Sequence, residues 1–132
     1  MAGCRDVYYY ESQFLQKEGD KNHYHIVVAD VQVGSDGSPK KLVAIITTHT
    51  GDREQFYQQR GGEKSYAIVS PNDYSELTSR SIVSGELYEE DERNLLDSDK
   101  KLPVSDAVFE KVREAAGMHK GNKRRIKNQV KQ

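Results

Sequence analysis

The sequence predicts a mainly β fold of the α+β class, a small antiparallel β-barrel closed by one C-terminal helix. Two observations carry this expectation. Short segments dense in β-branched and aromatic residues are separated mostly by turn-forming ones, and a single capped apolar stripe follows them all. A chain of 132 residues fits one domain that buries its core without a disulfide or metal staple. The barrel domain with its helix is expected over residues 1–117, and a basic tail over residues 118–132.

The first strand is expected at residues 6–10, where Val7 precedes Tyr8, Tyr9 and Tyr10, residue types that fill a pleated surface. A polar loop over 16–22 leads to a central strand over 23–31, His-Tyr-His-Ile-Val-Val-Ala-Asp-Val. Turn chemistry at 34–39, with two Gly and Pro39, joins it as a hairpin to a second strong strand over 41–48. In that hairpin His25 and His49 are expected to become cross-strand neighbours. Residues 50–64 are polar and show no apolar periodicity, which predicts a long mobile loop over the functional groove.

Strand character returns at 65–69 and ends at Pro71, Asn72 and Asp73. A further short strand is expected at 80–84, before an acidic run ending at Glu92 that reads as a solvated face. Ser105 is a good N-cap, Asp106 suits the first-turn dipole, and Val104 is placed to staple Phe109. Val108, Phe109, Val112, Ala115 and Ala116 then form one stripe, with Gly117 as the expected stop.

The hydrophobic fraction of 35% is low and the charged fraction of 31% is high, so the core is expected to be small. Cys4 is the only cysteine, which rules out an internal disulfide and suits a reducing compartment. Residues 1–10 lack the basic start and apolar run of a secretory signal, and no window reaches the roughly 18 apolar residues of a membrane span. A cytoplasmic location without membrane contact is expected. The net charge of -1 hides an asymmetry: residues 120–132 carry six Lys or Arg and no acid, which leaves residues 1–119 with 14 basic and 21 acidic residues. A basic tail on an acidic body reaches for phosphate or folds back on its own domain.

Taken in order, these segments resemble the PemK/MazF-like toxin family. The family's opening Gly-Asp-hydrophobic-aromatic strand is echoed, without its Gly, by Arg5-Asp6-Val7-Tyr8. Its His-Arg-Pro strand is echoed at residues 23–30, and its strand ending in hydrophobics and Thr at 44–49. Leu77 to Val83 matches a family segment of the form L-x-x-x-S-x-V, and Val104 to Phe109 matches its last helix start. The resemblance implies an SH3-like barrel that forms a homodimer. It also implies metal-independent cleavage of single-stranded RNA with no cofactor, restrained by an antitoxin peptide or protein. Aligning the hydrophobic runs puts the family's catalytic Thr on Thr47 and its His on His23, but its catalytic Arg on Tyr24.

Cleavage by attack of a 2'-hydroxyl needs a base, an acid and a cation or donor for the phosphorane. His23 and His25 share one strand face, and Thr47 and His49 share one on the next strand. These four are the candidate catalytic residues. The charge that Tyr24 does not supply is expected from Arg53 or Arg60, or from the tail. Tyr24, Arg53, Arg60, Lys123, Arg124 and Arg125 are the candidate RNA contacts, and no metal site is expected. The same histidines also suit a barrel rim, donating to loop carbonyls. A non-catalytic binding module of the same fold, and a toxin that grips a protein target, therefore stay open beside the nuclease.

Overall fold

The computed structural model describes residues 3–15, 22–31 and 38–122. Within them seven strands form one antiparallel sheet: β1 (Val7–Glu11), β2 (Asn22–Val31), β3 (Lys40–Thr48), β4 (Tyr66–Val69), β5 (Ser81–Ser84), β6 (Tyr88–Asp91) and β7 (Lys100–Lys101). Two helices accompany them, α1 (Gly51–Gly61) and α2 (Asp106–Met118). The strands run β4-β5-β3-β2-β1-β7, and β6 pairs with the remaining length of β3. The mainly β expectation holds. Among the described residues β4 and β7 end the path without pairing to each other, so the sheet is open.

Strand alternation sorts the side chains into two cores. Val7, Ile26, Ala44 and Ile46 face α2, whose Val108, Val112 and Ala116 complete that layer. Burying each such valine contributes roughly 1.5–3 kcal/mol. Tyr8, Val27 and Val43 point to the opposite face, under Phe14 and Tyr88. A bulge between Val27 and Ala29 breaks the register, and beyond it Ala29 and Val31 join the α2-facing core. Ser105 caps α2 by accepting from the Val108 N–H at 3.2 Å, and Val104 packs in the same cluster as Phe109.

Four sequence expectations are corrected. Residues 51–61 form α1 in place of a mobile loop, because Thr50 caps the segment by accepting from the Arg53 N–H and Gly62 ends it at a φ of 112°. The acidic run is not solvated throughout, since β6 pairs along β3 and Glu90 is fully buried while its neighbour Glu89 stays exposed. Helix α2 passes Gly117 and ends at Met118. His25 lies opposite Ile45 and Tyr24 opposite Ile46, so His25 and His49 are not cross-strand neighbours.

The register explains that last miss. Val31 pairs with Lys40, two residues before the partner that a turn centred on residues 36 and 37 would give it, and the bulge removes one further residue of offset. β3 ends at Thr48, which leaves His49 four residues, about 13 Å along a strand, beyond the partner of His25. The turn at 34–37 and the loop at 16–21 lie outside the described residues, as do Lys123, Arg124 and Arg125.

Candidate functional site

A cleft of about 690 Å³ lies between α1 and the sheet face opposite α2. One wall is a stripe on α1, Arg53, Phe56, Tyr57 and Arg60, at the i, i+3, i+4, i+7 spacing that lines one helical face. Phe14 and Tyr88 oppose it, with Ile45 lining the cleft from β3. Phe14 and Tyr88 stack on each other with ring centroids 4.7 Å apart. Phe56 remains 55% exposed although it is large and apolar.

The helix is held in place mainly by polar contacts, since Gly61 is its one buried residue. On its flank away from the cleft, Glu54 Oε1 lies 2.7 Å from His49 Nε2 and its Oε2 accepts from the Tyr66 hydroxyl at 2.6 Å. Those two bonds hold the Glu54 carboxyl below its usual range, and the hydrogen bond that Tyr66 donates to it raises the Tyr66 hydroxyl in turn. On the cleft side Arg60 forms a two-pronged pair with Glu86, Nε to Oε1 at 2.6 Å and Nη2 to Oε2 at 2.9 Å. The guanidinium lowers the Glu86 carboxyl. Burial pushes the Tyr88 hydroxyl up to about 12. Arg53 donates to the Thr48 carbonyl, so it also sits at a fixed place on the cleft.

The sequence-derived candidates separate into three places. Arg53 and Arg60 line the cleft, and Thr47 approaches it only through its hydroxyl contact of 3.3 Å with Tyr57. Thr47 itself is 4% exposed. His23 and His25 are buried side chains of β2; His25 is fully enclosed, with Nδ1 3.3 Å from the Tyr8 carbonyl and Nε2 unpartnered among the described residues. Burial drives the His25 imidazole down to about 4. Tyr24 points to the other face, where it packs against Tyr9 and Tyr74 and donates to the Glu76 carbonyl at 3.0 Å. His49 pairs with Glu54 on the far flank of α1. His49 thus lies past the end of β3, away from His23 and His25 on β2, and no group of metal-ligating side chains comes together among the described residues.

No protein-family model matches the chain, and no curated protein matches it.

The sequence reading missed the aromatic half of the cleft, Phe14, Phe56, Tyr57 and Tyr88, together with Glu86. A signal for part of it was present. Thr50 as cap, Asp52 and Glu54 in the first turn, Arg60 in the last and Gly62 beyond mark a helix without any apolar periodicity. Once a helix is drawn there, residues 53, 56, 57 and 60 fall on one face. Among the described residues no helix is long and apolar enough to cross a membrane.

Proposed function

We propose that this protein is a single-stranded RNA-binding module, a diverged relative of the PemK/MazF-like toxins that holds its strand in the α1 cleft without cutting it. The observation that carries this reading is the Arg53, Phe56, Tyr57 and Arg60 stripe facing Phe14 and Tyr88. Unpaired bases stack on aromatic rings, and guanidinium groups meet the backbone phosphates between them. Each stacked base contributes about 1–3 kcal/mol whatever its identity. An SH3-like barrel, a cytoplasmic homodimer and an antitoxin partner belong to the same proposal.

Binding is favoured over cleavage because His25 and Thr47, which the chemistry would need, are closed off from solvent. One observation favours the metal-independent endoribonuclease instead. A carboxylate at 2.7 Å fixes the His49 ring through Nε2, as a general base is oriented.

Fluorescence anisotropy with a labelled single-stranded oligonucleotide tests the reading. Phe56→Ala should weaken binding about tenfold, the loss of one stacked base, with an unchanged melting temperature because the ring is exposed. Equal affinity of the variant and the natural chain would overturn the cleft site. Cleaved RNA on a gel, abolished by His49→Ala, would establish the nuclease.

A further inference from the structure

The two ends of α1 are held differently. Its last residue, Gly61, is wedged: a Cβ there would stand 2.5 Å from His119 Nε2 and 2.6 Å from Ser65 Oγ, and the Lys120 N–H donates to the Gly61 carbonyl at 3.1 Å. His119 and Asn122 are themselves buried. Asn122 fastens that segment to the cleft wall, since Oδ1 accepts from the Leu87 N–H at 3.2 Å and Nδ2 donates to the carbonyls of Gly85 and, at 3.3 Å, Ala116. The chain leaves the wedge through Gly62, whose φ of 112° suits a glycine. At the other end, around the first residue Gly51, nothing lies within 4 Å of the Cβ position.

Because Gly61 is the one buried residue of α1, polar side chains carry most of its attachment to the sheet. Arg60 meets Glu86 beside the wedge. Farther from it, Arg53 donates to the Thr48 carbonyl and the Tyr57 hydroxyl lies 3.3 Å from that of Thr47. Glu54 gathers two ties: the Tyr66 hydroxyl donates to it at 2.6 Å, and His49 Nε2 lies 2.7 Å away. The Gln58 amide backs the first by donating to the same Tyr66 hydroxyl at 2.8 Å. A carboxylate that receives two donors is the strongest tie away from the wedge. None of Glu54, His49 and Tyr66 is among the residues that line the cleft, so they act on it only through α1.

We infer that α1 is a hinged wall of the RNA cleft, pivoting at Gly61 and Gly62, and that Glu54 is the positioning residue that latches it shut through His49 and Tyr66. The effect on RNA rests on the RNA-binding reading of the cleft, whereas the hinge is a property of the free protein. Elements that close over sites turn on a few terminal residues and move as a body. Because the latch does not touch the strand, it holds the closed wall equally in free and loaded protein. Releasing it raises the rates of entry and exit together and leaves their ratio nearly unchanged. A residue in contact with the strand would act mainly on dissociation.

Amide exchange of the full chain without RNA reads the hinge, because a detached helix of this length frays in water. In Glu54→Ala the α1 amides should exchange about tenfold faster, the worth of roughly one net hydrogen bond, while those of β2 and β3 keep their rates. Tyr66→Phe removes one tie and keeps the ring, so about threefold is expected. Glu54→Gln keeps an acceptor for Tyr66 and offers an amide to the other tautomer of His49, and it should stay within about threefold of the natural chain. Stopped-flow binding of a labelled twelve-nucleotide oligouridine reads the consequence: both rates of Glu54→Ala should rise about tenfold with Kd within about twofold. Unchanged exchange in α1, or faster exchange across the whole sheet, would overturn the hinge. A weaker Kd with an unchanged association rate would overturn the latch, since Glu54 would then support the site only as structure. If α1 exchanges faster while Glu54→Ala and Phe56→Ala both match the natural chain in rates and affinity, the hinge stands and the RNA reading of the cleft has failed.

Discussion

The ring of His25 stacks on that of Tyr10, with centroids 4.0 Å apart and planes 16° from parallel. This stack buries an imidazole that the cross-strand pairing of β1 and β2 sets beside the Tyr8 carbonyl. Its pKa is about 4 in the folded protein, against an ordinary value near 6.5 in an unfolded chain. The unfolded chain therefore binds the proton first as pH falls. Stability is unaffected above about pH 6.5, declines between about pH 6.5 and 4, and levels off below, where the full cost is about 3 kcal/mol. Between pH 7.5 and 5 the natural chain should lose about 2 kcal/mol more than His25→Phe, which keeps a ring on Tyr10 and has no proton to take up. Urea unfolding at the two pH values measures the difference. Identical losses would show that His25 is not the titrating group.

Tyr10 also holds the network that fills the other end of this face. Its hydroxyl donates to Glu90 Oε2 at 2.7 Å, while Gln13, Asn94 and the Asp91 N–H each donate to Oε1 at 2.9 Å. Glu90→Ala leaves these donors without an acceptor and should cost about 2–4 kcal/mol. Glu90→Gln retains one carbonyl oxygen for the three donors at Oε1, and the Tyr10 hydroxyl can turn to accept from the new amide, so about 1 kcal/mol is expected. Denaturant midpoints rank the two. Equal losses would mean that the negative charge, and not the acceptor geometry, is what the site requires.

The Arg60 and Glu86 pair sets a third expectation, this time on affinity. The carboxylate occupies two guanidinium donors of Arg60, Nε and Nη2, so a phosphate has to compete with it for them. Glu86→Gln should tighten single-stranded RNA binding about fivefold at low salt, the worth of about one charge-assisted hydrogen bond, with the gain fading at high salt. The stability change should stay under about 1 kcal/mol, as for other solvent-facing pairs. Weaker binding by the variant would show that Glu86 works by holding Arg60 in position.

The strands were legible because their residues carry the signal locally. Val7 to Tyr10, Ile26 to Val31 and Leu42 to Ile46 are β-branched or aromatic runs that a sheet buries on both faces. Helix α2 was legible from Ser105 and its stripe. Helix α1 was not, because it lies on the surface with one buried residue, and a helix that buries no face shows no apolar period. Glu90 was hidden for a different reason: nothing in a run of four acids tells which of them a partner strand will cover. The register of His25 was lost to the bulge after Val27 and to the pairing of Val31 with Lys40, two residues earlier than the Gly and Pro positions indicate. Of the candidate site, the sequence pointed to Arg53 and Arg60, and it missed the rings because they meet only when the 13–15 segment, α1 and β6 come together.

Two glycines, one packed on α2 and one within it, give a last, purely steric prediction. Gly85 lies where a Cβ would stand 2.4 Å from the Ala115 carbonyl oxygen and 2.5 Å from that of Ser65. Both are backbone atoms, and the Gly85 N–H already donates to the Ser65 carbonyl at 2.6 Å. Neither neighbour can rotate away, so Gly85→Ala must push the β5 end off α2 and should cost about 3 kcal/mol, the upper part of the range for overpacking. Gly117 is the contrast. It is helical in α2 with nothing within 4 Å of its Cβ position, so Gly117→Ala should stabilise the protein by about 0.5–1 kcal/mol through the lower entropy of the unfolded chain. Melting temperatures of the two variants should therefore move in opposite directions. A neutral Gly85→Ala would mean that the loop from Ser84 to Leu87 yields to the added methyl, and then the wall that carries Glu86 and receives Asn122 is softer than these contacts require.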